Sequence, residues 1–308
     1  MKKYTYVAIV LIAVFSGFYF SCQCNNPTAE EPEPTLSQPA NPQDGDHTPS
    51  AGHGAGKQRG LTNCGDTCYM NSSLQVVFAL YKDLVEAQRG TDTDLSKSLI
   101  KLFDAVNDPA LSTPVEYSIP DAFHTAMKKS EADGGLGWAT TTKQQEDAKE
   151  FISLLFEWLT VLKMKVVSHG HIADAFPLDL PFVNTTPITM QEYINQYTIN
   201  GFHALNNGIF PFALNRNQDV AGKNKTDINN PFEITIESGK SDLVNNKNYH
   251  LVSFINHLGE TVNSGHYIAY IKEGSKWIRY DDSNVSEVTD AQAEAAAKQA
   301  YVFFYQPK

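Results

Sequence analysis

A thiol, an imidazole and two adjacent carboxylates stand out in this chain because of what surrounds each of them. The run GLTNCGDTCYMNSSLQ, residues 60–75, sets Cys68 behind Gly65, Asp66 and Thr67, residue types suited to a turn and a helix N-cap. Leu74, Val77, Phe78, Tyr81, Leu84 and Val85 then recur at helical spacing, which predicts Cys68 in the first turn of a helix. Unpaired N–H groups and the positive dipole end at that position favour a thiolate, the form of cysteine that attacks carbonyls. Asn63, five residues upstream, is near enough to donate an amide hydrogen to an oxygen that turns negative during the attack.

The second segment, SGHYIAYIKEGSKWIRYDDSNV at residues 264–285, alternates as a strand does, turns, and alternates again. A two-residue loop at Glu273-Gly274 sets Lys272 opposite Ser275, Tyr270 opposite Trp277 and His266 opposite Asp281. Opposed side chains share a face of a sheet with Cβ atoms about 4.5–5.5 Å apart, so Asp281 can take the imidazole N–H and steady the imidazolium. A register slipped by one residue presents Asp282 instead. Either segment alone also fits an inert buried cysteine or an ordinary polar pair on a hairpin. Together they supply the nucleophile, base and orienting acid of a cysteine hydrolase.

These two segments resemble the cysteine and histidine boxes of the ubiquitin-specific protease family of deubiquitinating enzymes, the second extending as YHLVSFINHLGETVNSGHYIAYIKEGSKWIRYDDSNVSEV over residues 249–288. QQEDAKEFISLLFEWL, residues 144–159, and AYVFFYQ, residues 300–306, are similar to two further blocks of that family, whereas residues 166–248 show no recognisable counterpart. The resemblance implies an α+β, papain-like fold with a helical thumb, an antiparallel-sheet palm and fingers that grip the substrate. It implies Cys68 as nucleophile, His266 as general base, Asp281 as orienting acid, Asn63 as oxyanion donor and Asp282 as a second, supporting acid. The implied reaction cleaves the bond after the terminal Gly-Gly of ubiquitin or a ubiquitin-like modifier in its protein conjugates, with no metal or other cofactor. A tail of sequence Leu-Arg-Leu-Arg-Gly-Gly calls for acidic groups, and Asp147 and Glu150, three apart on a predicted helix, are the candidates for contacting it.

The four cysteines are Cys22, Cys24, Cys64 and Cys68, so the paired Cys-x-x-Cys zinc site that many relatives carry in their fingers is absent and the fingers are expected to be shortened. Cys64 is placed to pair with Cys68 in an oxidising compartment, or to be a buried bystander. The net charge of -11 argues against a nucleic-acid surface and suits a basic partner. Lys2 and Lys3 before an apolar stretch at residues 4–20, with Cys22 following, predict an export signal over residues 1–22 and a lipidated cysteine of the bacterial envelope; an uncleaved membrane anchor is the alternative. Residues 23–59 are rich in Pro, Glu, Gly, Ser and Thr and read as a flexible linker, leaving residues 60–308 as one catalytic domain, expected to act as a monomer. A bacterial origin would make the substrate a host protein and the enzyme an effector. Two further readings stay open: a papain-like peptidase or acyltransferase on another substrate, and a ubiquitin-binding module without catalysis.

Overall fold

The computed structural model describes residues 58–138, 146–159, 165–168, 171–174, 177–196, 199–202, 209–218, 222–236, 247–261 and 264–308. The expected leader, its lipidated or anchoring segment and nearly all of the linker lie outside the described residues. Among the described residues no helix is long and apolar enough to cross a membrane. Arg59, expected as the last linker residue, is buried and donates to the carbonyls of Thr113, Ala105 and Pro114 at 2.6, 2.8 and 3.0 Å, so it belongs to the fold.

The helices are α1 (Cys68–Leu80), α2 (Lys82–Glu86), α3 (Asp94–Val106), α4 (Ser118–Lys128), α5 (Ala148–Leu159), α6 (Met190–Asn195) and α7 (Asp290–Ala297). The breaks after α3 and α4 fall where Asp108-Pro109 and the glycine-rich run at residues 133–137 predict them. α3 follows the simple rule: Thr93 accepts from the Ser96 N–H at 3.1 Å, and Leu95, Leu99, Leu102, Phe103 and Val106 bury one stripe. The single helix expected through Val85 is instead two. Tyr81, at φ −128°, ends α1 and turns its ring onto Phe156, with centroids 4.7 Å apart.

The strands are β1 (Lys165–Ser168), β2 (His171–Asp174), β3 (Leu178–Pro181), β4 (Ile188–Thr189), β5 (Ile199–Phe202), β6 (Phe210–Asn215), β7 (Asn217–Gln218), β8 (Gly222–Lys223), β9 (Ile228–Asn229), β10 (Glu233–Ile236), β11 (Lys247–Thr261), β12 (Ser264–Glu273), β13 (Lys276–Asp281), β14 (Asn284–Val288) and β15 (Ala300–Pro307). The main sheet runs β14-β13-β12-β11-β15-β6-β3, and β10 pairs with β11 beyond the reach of β12. It is antiparallel, as expected of the palm, with one parallel pair, β3 and β6, at its edge. β2, β1 and β5 form a separate three-stranded antiparallel sheet at the chain position of the shortened fingers.

Two cores flank the main sheet, because its central strands are apolar on both faces. Along β12, Tyr267, Ala269 and Ile271 join α1 and α5 in one cluster, whereas Ile268 and Tyr270 join Phe254, Trp277 and Phe303 in the other. The helix α1 packs against both β12 and α5. It is buried on all sides through Phe78, and its polar residues are therefore bonded: Gln75 donates to the Arg59 carbonyl at 2.8 Å and Ser72 to that of Tyr69 at 3.1 Å.

One close approach fixes the thumb to the palm. Gly60 lies so near the β13–β14 turn that a Cβ there would stand 2.5 Å from the Ser283 carbonyl oxygen and 2.7 Å from that of Asp282. Beside it the Leu61 N–H donates to the Asp282 carbonyl at 2.9 Å, and the Val115 N–H to that of Gly60 at 2.8 Å. Gly60→Ala is expected to lower stability by about 1–3 kcal/mol in thermal or urea unfolding and to slow alkylation of Cys68, because the turn must retreat from α1. Unchanged stability with unchanged reactivity would show that the contact does not position the site.

Candidate active site

The loop ahead of α1 is a tight turn. Gly65 and Asp66 sit at φ +87° and +53°, and the Asn63 side-chain oxygen accepts from the N–H groups of Gly65 and Thr67 at 2.9 and 3.2 Å. Thr67 does not cap the helix as expected. Its hydroxyl accepts from the Cys64 N–H at 2.8 Å and donates to the Asn63 oxygen at 3.2 Å, so the turn uses what the helix would have used. With no side-chain cap and no acidic residue in its first turn, α1 presents an unneutralised positive end at buried Cys68.

His266, at the start of β12, interacts with Cys68 on one side and sets Nε2 2.5 Å from Asp281 Oδ1 on the other. Nε2 carries the proton toward the carboxylate, which leaves Nδ1 for the thiol. The Asp281 bond first, and Cys68 second, push the imidazolium pKa up to about 10 against the opposing effect of partial burial. Asp281 is held below the usual carboxylate range, chiefly by His266 and also by Arg279, whose guanidinium lies 2.6 Å from Oδ2. The hairpin register differs from the expected one: Glu273 pairs with Lys276 and Tyr270 with Arg279, so the loop is Gly274-Ser275. That is a slip of two, which preserves the face, and His266 still meets Asp281 as a diagonal neighbour.

Asp282 is turned elsewhere. Its backbone is left-handed at φ +50°, and its nearer carboxylate oxygen is 3.9 Å from His266 Nε2. That same oxygen accepts from Asn63 Nδ2 at 2.9 Å, while the other accepts from Asn71 Nδ2 at 2.7 Å. Asp282 therefore fixes the direction in which the second Asn63 amide hydrogen points. Asn71 and Arg279 were not singled out from the sequence; Asn71 carried a signal, a polar residue at a helix position that must be buried.

The acids expected at the substrate tail are arranged differently. Asp147 stands before α5, where one carboxylate oxygen accepts from the Lys149 and Glu150 N–H groups at 2.8 and 3.1 Å and the other from the Tyr301 hydroxyl at 2.6 Å. It caps the helix, and its charge is committed. Glu150 is exposed beside Glu146, whose carboxyl is pushed up by burial and then by the Glu150 charge. Cys64 lies 3.5 Å from the Thr62 carbonyl and 3.8 Å from that of Tyr117, is not disulfide-linked, and its thiol is pushed up to about 11 by burial and by Asp121. Only one group among the described residues, His266, Asp281 and Asp282, brings three metal-ligand atoms together, and those atoms are already engaged with Arg279, Asn63, Asn71 and one another.

The family model for ubiquitin carboxyl-terminal hydrolases matches residues 59–305. This chain belongs to that family. Ubiquitin carboxyl-terminal hydrolase 26 of Homo sapiens is 36% identical over 93 residues, 29% of this chain and 9% of the relative. Ubiquitin carboxyl-terminal hydrolase 8 of Saccharomyces cerevisiae is 45% identical over 58 residues, 18% of this chain and 12% of the relative. The chain thus spans about a tenth of the length of these curated relatives. Among solved structures, the SAGA Ubp8/Sgf11/Sus1/Sgf73 DUB module bound to ubiquitin aldehyde matches with a TM-score of 0.60 at 21% identity, over 81% of this chain and 69% of that one. The same module bound to monoubiquitin matches with a TM-score of 0.59 at 20% identity. These likenesses, at 20–21% identity, show the fold that the chain shares with those structures.

Asp281 and Asp282 are separable by experiment. Asp281→Ala removes the largest interaction raising the imidazolium pKa, so the high-pH inflection in the rate of Cys68 alkylation is expected to fall from about 10 toward the ordinary 6.5. Asp282→Ala takes the carboxylate partner from the Asn63 and Asn71 amides and is expected to cost about 1–3 kcal/mol of stability with that inflection little moved. An inflection that responds to Asp282 and not to Asp281 would reverse the two assignments.

Proposed function

We propose that this protein hydrolyses the bond following the C-terminal glycine of ubiquitin in protein conjugates, through a thioester on Cys68. The observation carrying the reading is the assembled line of Cys68, His266 and Asp281 in a chain that belongs to the ubiquitin carboxyl-terminal hydrolases. The thiolate adds to the glycine carbonyl, and the carbonyl oxygen takes the negative charge. The second Asn63 amide hydrogen stabilises it, with the Asp282 carboxylate holding the first. The His266 imidazolium then gives its proton to the departing amine as the C–N bond breaks. Water, deprotonated by the neutral imidazole, attacks the thioester and releases the glycine carboxylate and the thiolate.

Glu150, exposed at the start of α5 with Glu146 beside it, suits the arginines of a ubiquitin tail, and Asp147 acts on that surface by holding the helix in place. The proposal extends to location. Lys2, Lys3, the apolar run at residues 4–20 and Cys22 support export and tethering to a bacterial envelope by a lipid, or otherwise by the segment itself, with a host protein as substrate and the enzyme acting as a monomer.

A ubiquitin vinyl-sulfone probe is expected to label Cys68, and Cys68→Ala to lose both labelling and turnover of a fluorogenic ubiquitin substrate by about a thousandfold or more. A panel carrying ubiquitin-like modifiers reads selectivity. Binding of ubiquitin without turnover would point to a binding module, and a Cys68 that reacts with iodoacetamide but not with the probe to another thiol enzyme. Glu150→Lys is expected to raise KM for the ubiquitin substrate about threefold or more while leaving hydrolysis of a small thioester unchanged. Equal loss on both substrates would remove Glu150 from the tail contact.

A further inference from the structure

Asp281 is the final residue of β13, followed at once by a left-handed residue, and it meets His266 only on the diagonal. Diagonal neighbours in a sheet are about 7–8 Å apart at the backbone, so the carboxylate has to lean along the strand to reach the imidazole. An aspartate at a strand end has two rotatable bonds with which to leave that pose. Something has to hold it there.

Arg279 precedes Asp281 by two residues and projects from the same face of β13. Its guanidinium meets Oδ2 at 2.6 Å while His266 Nε2 meets Oδ1 at 2.5 Å, so each carboxylate oxygen has its own cationic or N–H partner. The Arg279 and Asp281 side chains are 31% and 21% exposed, whereas the surface pair Lys276 and Glu287 on the same hairpin is 61% and 53% exposed. Arg279 also borders the core: it lies opposite Tyr270, within electrostatic reach of its hydroxyl, and the Tyr270 ring stacks on Phe254 with centroids 4.6 Å apart. A continuous line thus runs from Cys68 through His266, Asp281 and Arg279 to Tyr270 in the second core.

We propose that Arg279 is a positioning residue of this active site: it clamps the Asp281 oxygen that His266 does not use and so holds the carboxylate in the pose the imidazole requires. A planar, permanently charged fork is the side chain suited to fix a carboxylate plane. The proposal rests on Cys68 and His266 forming the reactive pair and does not depend on ubiquitin being the substrate.

Two consequences of removing Arg279 oppose one another and so can be told apart. Loss of its positive charge alone would make His266 more basic, whereas loss of the clamp frees Asp281 and makes His266 less basic. The other groups facing this line are Cys68 from α1, Asp282 from the turn at 3.9 Å and His257 from β11, which burial first and then the Lys223 and His266 charges push down to about 4. β14 presents uncharged Ser286 in register with Arg279.

The test follows Cys68 alkylation by iodoacetamide across pH in the full chain, with the Cys68 peptide quantified by mass spectrometry so that other thiols do not interfere. In Arg279→Met the high-pH inflection is expected to fall by about one pH unit, toward that of Asp281→Ala, and Arg279→Lys to recover at least about half of the shift. On a fluorogenic ubiquitin substrate, kcat is expected to drop about tenfold with KM within about twofold. Arg279→Gln, which keeps an uncharged NH2 donor group, gives the same reading at intermediate size if Arg279→Met does not fold. An inflection that does not move, or that rises, overturns the proposal. Because alkylation needs no ubiquitin, a failure of the substrate reading leaves this result standing.

Discussion

The contact between Asp282 and the loop ahead of α1 is the interaction on which the rest of the site depends. Cys68 and His266 come from opposite ends of the folded region; α1 packs on β12, and the loop ahead of Cys68 has still to be fastened to the palm. Asp282 fastens it from the turn after β13: its carbonyl takes the Leu61 N–H and its carboxylate takes the amides of Asn63 and Asn71. Hydrogen bonds to a charged group are worth about 1.5–3 kcal/mol, and this carboxylate is only 13% exposed, so removing its partners would strand a charge away from water. Exposed ion pairs such as Arg89 with Asp104 contribute far less to the architecture.

Around that joint the sheet acts as a wall with a core on each side. Alternation along β12 sends Tyr267, Ala269 and Ile271 against the helices and Ile268 and Tyr270 against Phe254 and Trp277. His266 heads the strand that both cores hold, so its position is set by packing on two faces. The same alternation on β13 puts Arg279 and Asp281 on one face and buries Tyr280 on the other. Strand parity, more than loop chemistry, selects which side chains the imidazole can reach.

Parity also explains how much of the site was legible in the sequence. The hairpin register expected from Glu273-Gly274 was off by two, yet His266 and Asp281 still meet, since an even slip returns every side chain to its own face. Cys68 at the mouth of a helix followed from the apolar spacing after it, and Asn63 from its distance to the thiol. Long-range contacts were the part that spacing does not encode. The commitment of Asp147 to α5 and Tyr301, the turning of Asp282 toward Asn71, and the break of the first helix at Tyr81 all depend on residues far away in the chain. The strands described between residues 165 and 236 are only two to six residues long, too short for local alternation to carry much signal.

β15 lies between β11 and β6 in the middle of the main sheet, and its Tyr301 holds Asp147 at the head of α5. A strand that follows β1–β14 in the chain is thus an interior strand. A polypeptide emerging amino end first, from a ribosome or through a translocation pore, has its thiol and imidazole in the open well before the strand that closes the sheet arrives. The two halves of the palm can join only once residues 300–307 are free to insert, so the thiol and imidazole are without a finished cleft until that strand is in place.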